Sequence, residues 1–200
     1  MEETNQRRKQ AIQTERSILE SALTLMRERD FDEVSVRDIC KEAGITTGAF
    51  YHHFRSKDDL LRLGFAPMDR HLELELAGHL SDPPLVRLER IVDSYAGFME
   101  GQIGRLAARY YQYRLSTCSQ EVLDSSRYAY RAILSCLEET KASGMLSAEH
   151  TPEEVTDFCM RHFRGIVIDW ILHDYDYPLQ PRFRRDYGLI RQLFQTRSFS

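Results

Sequence analysis

Cysteine is scarce in this chain and scattered along it. Cys40, Cys118, Cys136 and Cys159 stand far apart among 200 residues, with no CxxC spacing. That excludes a zinc ribbon and a disulfide scaffold, and it suits a reduced, cytosolic chain whose thiols act as small apolar groups. A redox-sensing thiol of lowered pKa is the alternative. Long apolar runs are also missing. The most apolar stretch, residues 165–172, is short and carries Asp169, so no transmembrane helix is expected. The opening MEETNQRRKQ has no apolar segment behind its charges, so no signal peptide is expected there. Strand-like alternation, internal repeats and low-complexity tracts are absent, which leaves an all-α fold of about nine helices. Nor is there an excess of positive charge. Lys and Arg number 27 against 31 Asp and Glu, a net charge of −4. In the N-terminal part Glu28, Asp30, Asp32 and Glu33 offset Arg7, Arg8, Lys9 and Arg16. Any nucleic-acid contact must therefore rest on locally placed cations. No HExxH, P-loop or nucleophile elbow occurs, so no catalytic residue and no cofactor is expected.

What is present is concentrated between Ser35 and Phe54, SVRDICKEAGITTGAFYHHF. Ser35 followed by Asp38 has capping-box form and starts a helix. Val36, Ile39, Cys40 and Ala43 mark its buried face. Gly44 then supplies a left-handed C′ position, Ile45 folds back, and Thr46 or Thr47 caps a second helix that runs to about Phe54. Two short helices joined through a glycine turn make a helix-turn-helix, whose second helix enters the DNA major groove. A solvated helical hairpin is the plain alternative.

The residues Phe31, Ile39, Ala43-Gly44-Ile45, Gly48, Phe50-Tyr51, Phe54, Lys57 and Leu60-Leu61 carry a resemblance to the DNA-binding domain of the TetR family of bacterial transcriptional regulators. The motif match covers about residues 11–61. The resemblance implies a three-helix helix-turn-helix domain over residues 1–62 and a helical effector-binding and dimerisation domain over 63–200. It also implies a cytoplasmic, ligand-responsive repressor that binds a palindromic double-stranded DNA operator as a homodimer and is released by a small-molecule effector. Ile39, Ala43, Ile45, Phe50 and Phe54 are then core. Thr46, Thr47, Ala49, His52 and His53 face outward, where Thr and His hydrogen-bond base edges and the Ala49 methyl meets a thymine methyl. Gly48 lets backbone approach DNA, or merely marks low helix propensity near an end. Arg37 in the first turn, with Tyr51 and Lys57, suits phosphate contacts that set register, and Ser35 is counted among the DNA-binding residues.

Along the rest of the chain, residues 1–10 read as a polar arm. A first helix spans about 11–28, with Ile12, Ile18, Leu19, Ala22, Leu23 and Met26 as its stripe. A fourth helix from Ser56, capped with Asp59, to about His79 contains Pro67 with Gly64 just before it, so a kink or break is expected, either a hinge or a static bend. Further helices run from Asp82-Pro83-Pro84 towards Gly101, from Ile103 to Leu115, and from Thr117, capped with Gln120, to near Gly144. Thr151-Pro152-Glu153-Glu154 starts another that reaches about His173. Tyr177-Pro178 and Pro181 break it before a last helix over about 182–195.

The last two helices are more apolar than one face requires. A two-fold interface is expected from Phe158, Ile166, Trp170, Phe183, Tyr187, Ile190 and Phe194, with Gly165 and Gly188 for close approach; burial within one subunit is the alternative. Candidate effector contacts are Tyr95, Phe98, Met99, Tyr110, Tyr111, Tyr128, Tyr130 and Trp170, apolar bodies with phenolic handles, although such aromatics also build cores. Arg109, Arg114 and Arg131 either pair with an acidic effector or are solvated. His173-Asp174, with Asp176 and Asp186, resembles the His-Asp pair of all-helical metal phosphohydrolases. Such a site needs further ligands on facing helices, and His150 and His162 show no recurring spacing. No metal ligand is assigned. A helical adaptor without DNA binding is the third possibility.

Overall fold

The computed structural model of the chain describes residues 2–63, 65–117 and 124–194. Among the described residues there are nine α-helices and no strand: α1 (Glu2–Glu28), α2 (Val36–Glu42), α3 (Thr47–His53), α4 (Ala66–Leu76), α5 (Pro84–Phe98), α6 (Leu106–Thr117), α7 (Tyr128–Ala142), α8 (Pro152–Leu172) and α9 (Leu179–Phe194). A 3-10 helix, Asp58–Leu63, precedes α4, and a π-helical turn, Met99–Ile103, follows α5. None of these helices is long and apolar enough to cross a membrane.

The chain forms two compact units, Met1–Gly64 with Gln102–Cys118, and Phe65–Gly101 with Ser119–Ser200. The helix α6 therefore belongs to the first unit, which a division at residue 62 does not anticipate. The core of that unit brings together Ile18, Ala22 and Met26 of α1, Phe31, Ile39, Phe50, Phe54, Leu60, Leu61, and Leu106 from α6. Ile12, placed on the same stripe of α1 by its spacing, is 57 % exposed. The polar arm is not separate: α1 is helical from Glu2.

Local chemistry fixes the ends of the helices. The Ser35 N–H donates to Asp38 Oδ2 (2.9 Å) and the Asp38 N–H to Ser35 Oγ (3.2 Å), a complete capping box. At the other end of α2, Gly44 takes φ +66°. The Ile45 N–H then reaches the Cys40 carbonyl (2.9 Å) and the Gly44 N–H that of Lys41 (3.3 Å), the paired bonds that satisfy the last carbonyls of a helix. Thr46, not Thr47, caps α3, its Oγ1 accepting from the Ala49 N–H at 3.1 Å.

The expected fourth helix is two pieces. Pro67 lies in the first turn of α4 rather than in mid-helix, where its missing N–H removes no intrahelical bond; Gly64 lies outside the described residues. Asp59 accepts from the Arg55 N–H (3.0 Å), and its own N–H donates to the Ser56 carbonyl (3.2 Å). Thr117 ends α6 instead of opening a helix, its Oγ1 donating back to the Tyr113 carbonyl at 2.9 Å; Gln120 and Cys118 lie outside the described residues. Pro181 sits in the first turn of α9, which begins at Leu179. The Thr151–Glu154 capping box forms as expected.

In the second unit, α5 packs against α4, α7 and α9, and α8 against α7 and α9. Its centre is the ring cluster of Tyr95, Phe163 and Phe183, with centroids 5.2–5.7 Å apart. The start of α7 carries no side-chain cap of its own. Asp69 of α4 serves instead, accepting from Arg127 Nε (3.0 Å) and from the Ala129 N–H (3.2 Å).

Candidate nucleic-acid interface

The short helix α3 is sharply two-sided. Phe50 and Phe54 are buried, at 0 % and 1 % exposed, and hold it on the first core. Thr46, Thr47, Gly48, Tyr51 and His52 are exposed, while Ala49 and His53 are half-buried. The run 47, 48, 51, 52 is the i, i+1, i+4, i+5 pattern of one helical face. This row presents a hydroxyl, an imidazole and a phenol, groups that hydrogen-bond base edges and phosphate oxygens. A Cβ built on Gly48 would meet only Thr46 Oγ1 at 3.8 Å, an ordinary contact. Nothing inside this unit requires glycine there.

The hydroxyls of Ser35 and Thr46 are committed to helix caps, and Ser35 Oγ also donates to Asp38 (2.8 Å). The Ser35 backbone N–H, followed by the Ser35 hydroxyl, holds the Asp38 carboxyl below its ordinary value. Both caps fix the start of a helix that the site uses.

Lys57 departs from the phosphate role expected of it. Its Nζ donates to the carbonyls of Phe31 (2.5 Å) and Val34 (2.8 Å) and lies 4.3 Å from the Phe31 ring centroid. Two of its three protons are thereby used to hold the turn between α1 and α2. From α6, Arg109 adds an ion pair with Asp32 (2.6 Å) and a place over the same ring (5.3 Å). The exposed cations beside the reading helix are instead Arg37, Lys41 and Arg55. Lys41 and Arg55 lie outside the residues that carry the motif, although a basic residue just past α3 is visible in the sequence.

The other expected sites disperse. Tyr110 and Tyr111 are buried residues of the first unit, whereas Tyr95, Phe98, Met99, Tyr128, Tyr130 and Trp170 belong to the second. Arg114 is buried, and its Nε donates to Tyr110 Oη at 3.0 Å. Tyr95, Phe98, Met99 and Trp170 are buried core, and Trp170 Nε1 donates to the Tyr177 carbonyl (2.8 Å). A cleft of about 330 Å³ in the second unit does include Tyr128 and Arg131. At the expected subunit interface, Ile166, Trp170, Phe183, Tyr187 and Ile190 are each no more than 8 % exposed within the single chain, where α8 and α9 pack on each other, α8 on α7 and α9 on α5. Phe158 is half-buried, and nothing is described of the Phe194 side chain. The apolar residues that face outward on these helices are Ile168, Leu172 and Leu189.

His173 Nδ1 lies 2.8 Å from the Asp169 carbonyl, within its own helix, and His162 pairs with Asp186 at 3.2 Å. Among the described residues no group of three His, Cys, Asp or Glu side chains is placed to hold a metal. Cys40, Cys136 and Cys159 are buried and free, and burial pushes all three thiols up, Cys136 to about 11 and Cys159 to about 12. That is opposite to what a sensing thiol needs.

These features define a helix-turn-helix DNA-binding domain: capped α2, a left-handed glycine turn, and a reading helix with one polar face. Comparison with known proteins agrees. The model of bacterial regulatory proteins of the tetR family matches residues 18–63. A stretch of 45 residues is 49 % identical to the uncharacterized HTH-type transcriptional regulator YwcC of Bacillus subtilis, covering 22 % of this chain and 20 % of that relative. Over 159 residues the chain is 24 % identical to the HTH-type transcriptional repressor DhaR of a Mycobacterium species, covering 76 % and 79 %. The fold is also that of Thermus thermophilus FadR, a TetR family repressor solved with lauroyl-CoA, at TM-score 0.61 and 18 % identity, covering 88 % of this chain and 92 % of that one. Residues 18–63 are thus a tetR-type helix-turn-helix DNA-binding domain, and over most of its length the chain is similar to a DNA-binding transcriptional regulator.

Proposed function

We propose that this regulator is a cytoplasmic, ligand-responsive repressor that binds a palindromic operator as a homodimer and leaves it when a small molecule occupies the second unit. The observation that carries the reading is the exposed row Thr47, Gly48, Tyr51 and His52 on a helix seated by Phe50 and Phe54. Thr47 and His52 read bases, Ala49 lies beside them, and Tyr51, Arg37, Lys41 and Arg55 hold phosphates. The related repressor DhaR supports the direction of control. Complexes of FadR from T. thermophilus with lauroyl-CoA and from B. subtilis with stearoyl-CoA support control by a ligand.

A palindrome needs two reading heads about one helical turn, roughly 34 Å, apart. The face offered to a second copy is the outward row of α8, namely Phe158, Gly165, Ile168 and Leu172, with Leu189 of α9. Gly165 is exposed and an added Cβ would meet nothing within 4 Å, so its smallness serves a neighbour outside the chain. The reading is tested by selecting DNA from a random pool with the full chain. A two-fold symmetric sequence is the expected product, and no enrichment would refute it.

A further inference from the structure

The cleft in the second unit has an unusual wall. Its apolar side chains include Leu76, Leu80 and Ile91, and its polar ones Arg87, Tyr128 and Arg131; no acidic residue lines it. Arg87 is 8 % exposed, and one terminal nitrogen donates to Glu139. Its Nε is buried and has no acceptor among the described residues. Buried polar groups are nearly always paired, and a guanidinium presents its N–H groups as a planar fork shaped for a carboxylate or phosphate. The nearest acids are already engaged. Asp82 is held by Arg90 (3.3 Å) and His79 (3.0 Å), and Glu139 accepts from Arg87 Nη2, the terminal nitrogen beside Nε. Arg131 is exposed and has no such acid among the described ion pairs. The cleft thus carries one guanidinium N–H without an acceptor and one further, exposed cation beside an apolar wall. At about 330 Å³ it has the size of a small-molecule site.

We infer that this cleft binds a small amphipathic anion, its carboxylate or phosphate head group on Arg87 and Arg131 and its apolar body against Leu76, Leu80 and Ile91. Tyr128 adds a hydroxyl at the polar end. The inference rests on the reading of the second unit as the sensor and names the class of molecule sensed.

Octanoate, octyl phosphate and octanol share one apolar body and differ in head group. Calorimetric titration of each into the full chain, without DNA, reads the site directly. At least one of the two anions should bind, and octanol at least tenfold more weakly. Which anion binds tighter distinguishes a carboxylate ligand from a phosphate. Arg131→Gln, a surface change that leaves the core untouched, should weaken the anion about tenfold. Arg87→Lys keeps the charge beside Glu139 and deletes Nε, and should do the same. Equal binding of octanol, no binding of either anion, or full affinity in Arg131→Gln overturns the inference. The same titrations repeated on the DNA complex separate the two readings. An anion that binds without releasing DNA leaves the site standing and removes its role as sensor. Release by a neutral ligand, with neither anion bound, does the reverse.

Discussion

The ammonium of Lys57 lies 4.3 Å from the centroid of the Phe31 ring while donating to the Phe31 carbonyl. One cation thus ties the segment between α3 and the 3-10 helix to the turn before α2. Replacing Lys57 with Met keeps the stem and removes the donors. Two charge-assisted bonds and a ring contact predict a loss of roughly 2–3 kcal/mol in urea unfolding. The salt dependence of DNA affinity should keep its slope. By contrast Arg55→Gln should leave stability alone and flatten that slope by about one unit. The opposite pattern would restore Lys57 to the phosphates.

The Ser35–Asp38 box gives a prediction in pH. Ser35→Ala removes an N-cap and should cost about 1 kcal/mol at neutral pH. Asp38 titrates lower in the folded chain than its ordinary 3.8, so its contribution is complete above that value and is lost as pH falls through the lowered one. The gap in melting temperature between wild type and Ser35→Ala should therefore narrow on acidification. A gap that widens would contradict the box.

Assembly separates outward residues from core ones. Leu172→Glu and Ile168→Glu place a charge on the face proposed for the second copy and should yield folded monomers in sedimentation velocity. Trp170→Ala should instead lower stability by about 3–5 kcal/mol, because it empties a packed site. If Leu172→Glu stays dimeric while keeping its fold, the pairing face lies elsewhere.

How much of this the sequence shows depends on the range of the interaction. Ser35, Gly44 and Thr46 act on neighbours within five residues, and their caps and turn are legible from spacing alone. Lys57 and Phe31 are 26 residues apart, and no local rule tells a phosphate contact from a bond to a distant carbonyl. Periodicity identified Trp170, Phe183 and Ile190 as buried but not by what: α8 and α9 cover one another within one chain, which left Ile168, Leu172 and Leu189 facing out. Tyr110 and Tyr111 follow the second unit's helices in sequence, yet α6 joins the first unit. Asp174 and Tyr175 adopt positive φ after α8 without a glycine to announce it. The unpaired Nε of Arg87 is likewise a product of packing alone.

On the proposed function, α3 reads sequence through Thr47 and His52. The direct measurement is the affinity of wild type, Thr47→Val and His52→Ala for the selected operator and for each of its single base-pair variants, at fixed salt. Each substitution should cost about 1–3 kcal/mol on the operator and abolish discrimination at one position in each half-site, with the other positions still read. Unchanged affinity and unchanged discrimination in both variants would contradict the account.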